Sequence, residues 1–196
     1  MRNALVVGGE ILSKITDWTD RTTCVLFGDG AGAVVLQASA ADDTGVLATA
    51  IHSDGAQSEL IFMPGGGSKN PPGPDLYGSG MQFLKMRGSE TFKIAVRSLA
   101  DVSHEALAQC GHRPEEVDWF VPHQANLRII EAVGRRLAIP DGHTYVNIER
   151  YGNTSSGSIP IALDELNRSG KLHAGDLVLL AAFGAGLTWG AAVARW

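Results

Sequence analysis

Apolar and β-branched residues form four short runs in the first quarter of the chain. The runs cover residues 4–8, 22–27, 31–36 and 45–53, and each has the length and composition of a β-strand. The Gly-Asp-Gly sequence at 28–30 predicts a turn, so that 22–27 and 31–36 form a hairpin around it. A strand pattern, and not a helix, follows these glycines, so the sequence does not predict a phosphate-binding loop there.

Helical periodicity begins after a loop at 64–80 that is rich in glycine and proline. From 89 to 110 the apolar residues recur three and four positions apart, which predicts an amphipathic helix packed on a core. The remaining pattern alternates between the two element types: strand 117–120, helix 127–137, strand 144–148, helix 153–166, strand 177–183 and a return strand within 187–196. This order is typical of a layered α/β protein.

His123 lies in the hexapeptide VPHQAN (121–126), where the predicted strand 117–120 gives way to the predicted helix 127–137. The carboxyl end of a strand in an α/β layer is where ligands collect. The positive end of a helix dipole disfavours an added positive charge, so we expect a neutral imidazole at this corner. Such a ring can donate a hydrogen bond without changing its charge.

Asn153 lies in a second polar segment, YGNTSSGS (151–158), between the predicted strand 144–148 and the helix predicted to open at 153. Its side-chain amide donates two hydrogen bonds and carries no charge. Two neutral donors that point at one oxygen would stabilise a thioester enolate, because the dipoles are fixed before the charge develops. The pair of His123 and Asn153 therefore favours decarboxylation or enolisation over hydrolysis.

Three of these motifs, VPHQAN (121–126), YGNTSSGS (151–158) and FGAGLTWG (183–190), resemble the carboxyl-terminal signatures of the β-ketoacyl-acyl-carrier-protein synthase III family. The resemblance also includes FGDGAGA at 27–33. It implies the thiolase-like fold, a layered α/β/α/β/α arrangement of two pseudo-symmetric halves. Residues 1–40 would then be the end of the amino-terminal half, and residues 41–196 would be the carboxyl-terminal half.

The same resemblance assigns roles to particular positions. His123 and Asn153 would be the catalytic histidine and asparagine of a Cys-His-Asn triad, and the main-chain N–H of Ala185 would serve an oxyanion hole. Binding of the carrier protein and coenzyme A would involve two basic residues and three residues of the pantetheine channel, which are Lys93, Arg128, Phe92, Ala125 and Asn126. The loop 64–80 would lie near the mouth of the substrate tunnel.

The nucleophilic cysteine of this triad has no counterpart in the sequence. The chain has two cysteines, Cys24 in the predicted strand 22–27 and Cys110 at the end of the predicted helix 89–110. Neither is expected at a helix N-terminus that would lower the pKa of a thiol. We interpret both as small buried apolar residues. The sequence resembles a synthase from a point just after its nucleophile.

Composition and residue spacing argue against nucleic-acid binding, a metal site and a membrane segment. The formal net charge of -5 gives no reason to expect nucleic-acid binding, and the spacing of the two cysteines and six histidines predicts no metal site. We expect no cofactor besides the CoA thioester and phosphopantetheine-linked substrates. No apolar run reaches membrane-spanning length and no signal peptide precedes the first strand, so we expect a cytoplasmic protein without a membrane partner.

The sequence thus predicts part of an acyltransferase that condenses an acyl-CoA, most simply acetyl-CoA, with malonyl-acyl-carrier protein to start fatty-acid synthesis. The expected partners are acyl carrier protein, acyl-CoA, a second copy in a homodimer, and a missing amino-terminal portion or complementary chain. Without them, the apolar face between the two halves would be exposed. Two alternatives stay open: another thiolase-fold acyltransferase of secondary metabolism, and a non-catalytic partner subunit of a complete synthase.

Overall fold

The computed structural model describes residues 2–40 and 43–196. Its strands are β1 (Asn3–Ile11), β2 (Asp29–Gln37), β3 (Gly45–Ser53), β4 (Ile61–Phe62), β5 (Lys85–Met86), β6 (Trp119–Pro122), β7 (Leu177–Gly184) and β8 (Thr188–Arg195). Its α-helices are α1 (Pro74–Tyr77), α2 (Gly88–Gln109), α3 (Leu127–Leu137), α4 (Ile148–Tyr151) and α5 (Ser158–Arg168). The helix α2 confirms the long amphipathic helix that the periodicity predicts.

A four-stranded mixed sheet in the order β3-β8-β7-β6 forms the centre of the molecule. Strand β7 lies inside it, parallel to β6 and antiparallel to β8. Alternate side chains of β7 enter two different cores: Leu177 and Leu179 pack with α2 and α3, whereas Val178 packs with α5. Burial on both faces explains why the sequence of β7 is almost continuously apolar. The predicted α/β layers are confirmed.

The strands β1 and β2 form a separate antiparallel hairpin that packs against α5. This contact depends on glycine, because a Cβ atom at Gly32 would lie 2.9 Å from both Ile161 N and Pro160 Cβ. Several large apolar side chains of the hairpin remain exposed, among them Leu5, Val7 and Val35. The hairpin and α5 belong to different predicted halves, so the face buried on α5 is the contact between the halves that the structure describes, and the exposed apolar face lies on the other side of the hairpin.

The prediction of a strand at 22–27, with a turn at 28–30, is wrong. Residues 21–26 form turns, because the Asp20 carboxylate accepts hydrogen bonds from the Thr22 main-chain N–H (2.9 Å) and hydroxyl (2.6 Å). Such side-chain to backbone bonds compete with the sheet ladder despite the β-propensity of threonine. Asp29 and Gly30 belong to β2, which pairs with β1 across the register Ile11 to Asp29. Cys24 therefore lies in a turn, half-buried.

The prediction of a strand at 144–148 is also wrong. The segment pairs with β6 only through an isolated bridge between Phe120 and Thr144, and α4 begins at Ile148. The buried Gln124 side chain takes the backbone groups that a longer strand would use, since it donates to Tyr145 O (3.2 Å) and accepts from Asn147 N (3.0 Å). A helical turn therefore precedes Asn153, where the sequence predicts a strand.

The division into halves at residues 40 and 41 remains a prediction, because residue 41 lies outside the described residues. Within residues 2–40 and 43–196, no helix combines the length and apolar character needed to cross a membrane.

Candidate active site

A cavity of about 630 Å³ opens beside the carboxyl ends of the parallel strands β6 and β7. Its walls come from the first turns of α2, the corner between β6 and α3, the segment after α4, the end of β7 and the turns between β1 and β2. All eight site residues that the sequence predicts line it, namely His123, Asn153, Ala185, Lys93, Arg128, Phe92, Ala125 and Asn126. Positions more than ninety residues apart in the chain thus meet at one site.

His123 is held at the end of β6 by its backbone and by its ring. Its main-chain N–H donates to Ala181 O (2.8 Å), which continues the β6–β7 ladder past Pro122, and its carbonyl accepts from Ala125 N (2.9 Å). Ring atom Nδ1 lies 2.6 Å from Ser158 Oγ. Ring atom Nε2 has no hydrogen-bond partner in the part of the chain that the structure describes. It is available to a ligand in the cavity.

Burial lowers the pKa of His123 from 6.5 to about 4. Removal of the ring from water disfavours the charged form, since the surrounding protein replaces little of the lost solvation. The imidazole is therefore neutral at neutral pH, as the sequence predicts. The cause is the burial of the ring, however, and not the helix dipole expected at this corner.

Asn153 is fixed by hydrogen bonds on both its backbone and its side chain. Its N–H donates to Leu26 O (2.8 Å) and its carbonyl accepts from Gly28 N (2.9 Å), which ties it to the segment before β2. Side-chain atom Oδ1 accepts from Ser155 N (2.9 Å), so the amide orientation is determined. The two N–H bonds of Nδ2 remain for a ligand, because no described residue accepts from them.

Ala185 follows β7 in the turn that leads to β8, and its main-chain N–H makes no hydrogen bond to any described residue. The turn is anchored by two reciprocal bonds between Leu187 and Asp54, at 2.9 and 3.0 Å. The φ angle of Ala185 lies outside the left-handed region, so alanine fits here without backbone strain. A free, pre-positioned N–H at the cavity wall has the form that an oxyanion hole requires.

The predicted channel residues lie where α2 and α3 begin. The Arg128 guanidinium stacks over the Phe92 ring at 5.6 Å from its centroid. Asn126 caps α3 by accepting from Arg128 N (2.9 Å). Lys93 is exposed beside them. Phe92 also packs against the main core, so the two roles weighed for it, core residue and cavity wall, occur together.

Three residues without a role predicted from the sequence support the site, namely Gln124, Ser158 and Glu165. Gln124 and Ser158 are buried and bridge the His123 corner to its neighbours. Glu165 on α5 binds the segment before Asn153 through Asn147, Arg150 and Tyr151. Burial of Glu165 raises the pKa of its carboxyl group, but these hydrogen bonds and the Arg150 charge outweigh it, and the pKa falls. The sequence signal that could have identified Gln124 is its place beside His123 in the hexapeptide 121–126, since a polar residue that is buried at such a corner must find hydrogen-bond partners.

Neither cysteine lines the cavity, and no three metal-ligating side chains lie together among the described residues. Cys110 is partly buried against the core at the end of α2, and its thiol lies 3.3 Å from Leu107 O. Both cysteines are half-buried and not fully buried as interpreted from the sequence. A packing role fits Cys110, which contacts the core, better than Cys24, which lies in a turn. The loop 64–80 contributes no lining residue, although Ile61, Leu84 and Met86 on either side of it do.

Comparison with known proteins adds independent findings. Residues 1–55 match a family model of 3-oxoacyl-[acyl-carrier-protein] synthase III, and residues 107–196 match the model of its C-terminal part. The chain is 50% identical over 195 residues to a β-ketoacyl-[acyl-carrier-protein] synthase III of Desulfitobacterium hafniense. This match covers 100% of the chain and 59% of that relative. It therefore spans less than two thirds of the relative's length.

Solved structures agree with the family models. The chain superposes on 3-oxoacyl-[acyl-carrier-protein] synthase III from Aquifex aeolicus VF5 with a TM-score of 0.89 at 47% identity, covering 100% of this chain and 58% of that one. It also superposes on the priming β-ketosynthase of the R1128 polyketide biosynthetic pathway, with a TM-score of 0.87 at 36% identity, covering 99% and 57%. The thiolase-like fold predicted from the sequence is confirmed.

Proposed function

The chain belongs to the 3-oxoacyl-[acyl-carrier-protein] synthase III family, and we propose that it carries the decarboxylating part of an active site that condenses an acyl group with a malonyl thioester. The observation that carries the proposal is that a neutral imidazole and a carboxamide of fixed orientation line one cavity. His123 Nε2 and Asn153 Nδ2 are both free of protein partners among the described residues. His123 reaches the cavity from the end of β6, and Asn153 reaches it from the segment after α4.

In the proposed reaction these two donors bind the thioester oxygen of the malonyl group. The bond between its α-carbon and the carboxylate breaks, carbon dioxide leaves, and the electron pair becomes an enolate with its charge on that oxygen. Fixed N–H dipoles stabilise this charge as it develops. The enolate carbon then attacks the acyl thioester, a carbon–carbon bond forms, and the thiolate that held the acyl group leaves.

We place the thiolate outside this chain, since neither Cys24 nor Cys110 lines the cavity. A cysteine in the remaining part of the complete protein would hold the acyl group within reach of His123 and Asn153. The main-chain N–H of Ala185 would bind the acyl thioester oxygen. No metal ion and no redox cofactor is required for this sequence of bonds.

The proposed substrates reach the cavity along α2 and α3. Phe92, Ala125 and Asn126 would line the path of the phosphopantetheine arm, and Lys93 and Arg128 would attract an acidic carrier protein or the phosphates of coenzyme A. We further propose a homodimer in the cytoplasm. The exposed apolar hairpin face of β1 and β2 supports a dependence on the remaining part of the protein or on a complementary chain.

The test is malonyl decarboxylation by the complete natural protein and its His123→Ala and Asn153→Ala variants. Each variant loses one of the two donors, so carbon dioxide release should fall by about 100-fold or more. Transfer of the acyl group from acyl-CoA to the protein should persist, because it needs the nucleophile and not these donors. His173→Ala, which changes an exposed histidine outside the cavity, is the matched control. Unchanged carbon dioxide release in both variants would contradict the proposal.

Two alternatives each have one supporting observation. The superposition on a priming ketosynthase of a polyketide pathway favours an acyltransferase of secondary metabolism. Competition between acetyl-CoA and larger acyl-CoA primers, with different carrier proteins, separates the two pathways.

The absence of cysteine from the cavity wall favours a non-catalytic partner subunit. Intact-mass measurement after incubation with acetyl-CoA distinguishes that role, since a thioester on Cys24 or Cys110 would make the chain self-contained.

A further inference from the structure

Ser158 contacts the His123 ring but does not itself line the cavity. It is the first residue of α5 and only 2% exposed. Its Oγ atom lies 2.6 Å from His123 Nδ1 and 3.2 Å from the main-chain nitrogen of Gln124. A hydroxyl group has one hydrogen to donate and two lone pairs that accept. Its two neighbours therefore determine the direction of the short bond to the imidazole.

The hydrogen count assigns that direction. The Gln124 N–H can only donate, so Ser158 Oγ accepts from it. If His123 Nδ1 also donated, Oγ would accept twice and the hydroxyl hydrogen would have no acceptor among the described residues. A buried, unused donor costs about 1–3 kcal/mol. The arrangement that satisfies every group has the Ser158 O–H donating to Nδ1, with Nδ1 as the acceptor.

We propose that Ser158 is a positioning residue that holds His123 as the tautomer with its proton on Nε2. This inference rests on the proposed function for its catalytic meaning, but the tautomer itself follows from the contacts. A neutral imidazole whose Nδ1 accepts carries its hydrogen on Nε2, the ring nitrogen without a hydrogen-bond partner among the described residues. The ring thereby presents a donor to a thioester oxygen. The opposite tautomer would present a lone pair to it.

The packing around Ser158 keeps its hydroxyl in place. Gly157, which precedes it, lies so close to β2 that a Cβ atom there would be 2.8 Å from Gly30 O. The helix α5 itself packs on the β1–β2 hairpin and on β6. The proton position on His123 is consequently set by a contact between two layers of the fold, and not by the residues adjacent to His123 in sequence.

The test is nuclear magnetic resonance of the folded protein labelled with ¹⁵N-histidine, in which two-bond couplings show which ring nitrogen carries hydrogen. His123→Gln identifies the signals of this ring. The wild-type protein should show hydrogen on Nε2 at pH 7, and Ser158→Ala should give a substantial population with hydrogen on Nδ1. Ser158→Thr keeps the hydroxyl and should restore the wild-type pattern. Ser103→Ala removes a buried hydroxyl that has no hydrogen-bond partner among the described residues, so it is the matched control and should change nothing.

Hydrogen on Nδ1 in the wild-type protein would overturn the proposal, even if no variant folds. An unchanged pattern in folded Ser158→Ala would overturn it as well. Kinetics supply the link to function: Ser158→Ala should lower kcat for malonyl decarboxylation by about tenfold, the scale of one lost hydrogen bond, with a smaller change in KM. If the tautomer responds but decarboxylation is absent even in the wild-type protein, the proposed function fails while the role of Ser158 stands.

Discussion

The two corners that supply the donors are built in different ways. The His123 corner joins a regular strand to a regular helix, and its backbone bonds extend the β6–β7 ladder. The Asn153 corner contains a short helix, an isolated bridge and a 3₁₀ turn, and it is held by contacts with the distant β1–β2 hairpin. One corner continues regular secondary structure, and the other depends on irregular contacts between distant segments. We expect the second to be the more easily displaced by remote substitutions.

Glycine residues allow the close backbone contacts on which the Asn153 corner depends. A Cβ atom at Gly28 would lie 2.0 Å from the Tyr151 carbonyl oxygen, and one at Gly8 would lie 2.1 Å from the Ser156 carbonyl oxygen. Both clashes involve backbone, which cannot rotate away as a side chain can. The corner therefore depends on three segments that approach one another without side chains between them.

The largest effect is expected for Gly28→Ala. The new methyl group must separate β2 from the segment that carries Asn153, so the free energy of unfolding should fall by about 4 kcal/mol or more. Urea denaturation measures this loss. Gly67→Ala is the matched control, because nothing lies within 4 Å of a Cβ atom there and its φ angle is unstrained. Equal stability of the two variants would show that the close approach at Gly28 is not required.

A second large effect is expected where the two corners meet, at Gln124. Its buried amide donates to Pro122 O (2.9 Å) and Tyr145 O (3.2 Å) and accepts from Asn147 N (3.0 Å). Gln124→Leu would leave these backbone groups buried without partners, at a cost of about 2–4 kcal/mol. The substitution should therefore also disturb the Asn153 corner, although Gln124 belongs to the other one.

Denaturant unfolding measures the loss, with the exposed Gln109→Leu as the control. If Gln124→Leu destabilises the protein by no more than the control does, the two corners are independent of each other.

The same contrast explains what could be predicted from sequence. The helix 127–137 and the strand 177–183 are recognisable because apolar spacing records which faces are buried, and both are confirmed. The strand predicted at 22–27 fails because Asp20, two residues before Thr22, accepts a backbone hydrogen bond, and this local turn signal is present in the sequence. The strand predicted at 144–148 fails because the distant Gln124 takes its backbone hydrogen bonds, and local composition carries no record of such a partner. His123 and Asn153 were identifiable through motifs, whereas Ser158 required the geometry.

A third prediction concerns pH and probes the His123 corner alone. The folded protein keeps His123 neutral down to about pH 4, whereas the unfolded chain protonates it near pH 6.5. The unfolded state therefore binds more protons between these values, so stability should fall as pH decreases from about 6.5 to 4, by up to about 3 kcal/mol. Above pH 6.5 the residue should contribute no pH dependence.

The measurement is the difference in unfolding free energy between the wild-type protein and His123→Gln across this range. The subtraction removes the separate acid response of carboxylates such as Asp29 and Glu165, whose pKa values are lowered by their hydrogen bonds. A difference that does not vary with pH would mean that burial does not keep His123 neutral.

The smallest effect is expected for Glu10→Ala, which acts on the Asn153 corner from the hairpin. The Glu10 carboxylate accepts hydrogen bonds from the hydroxyls of Ser156 (2.9 Å) and Ser155 (3.3 Å). Its loss should lower the free energy of unfolding by only about 0.5–1 kcal/mol, since these groups can turn to water instead. Amide hydrogen exchange should accelerate at 154–157 and stay unchanged at 123–126, because the His123 corner has its own strand and helix. Glu59→Ala, an exposed carboxylate without a hydrogen bond to a described residue, should change neither segment. Faster exchange at both corners would show that they form one cooperative unit, and the distinction between a corner built on regular elements and one built on irregular contacts would then fail.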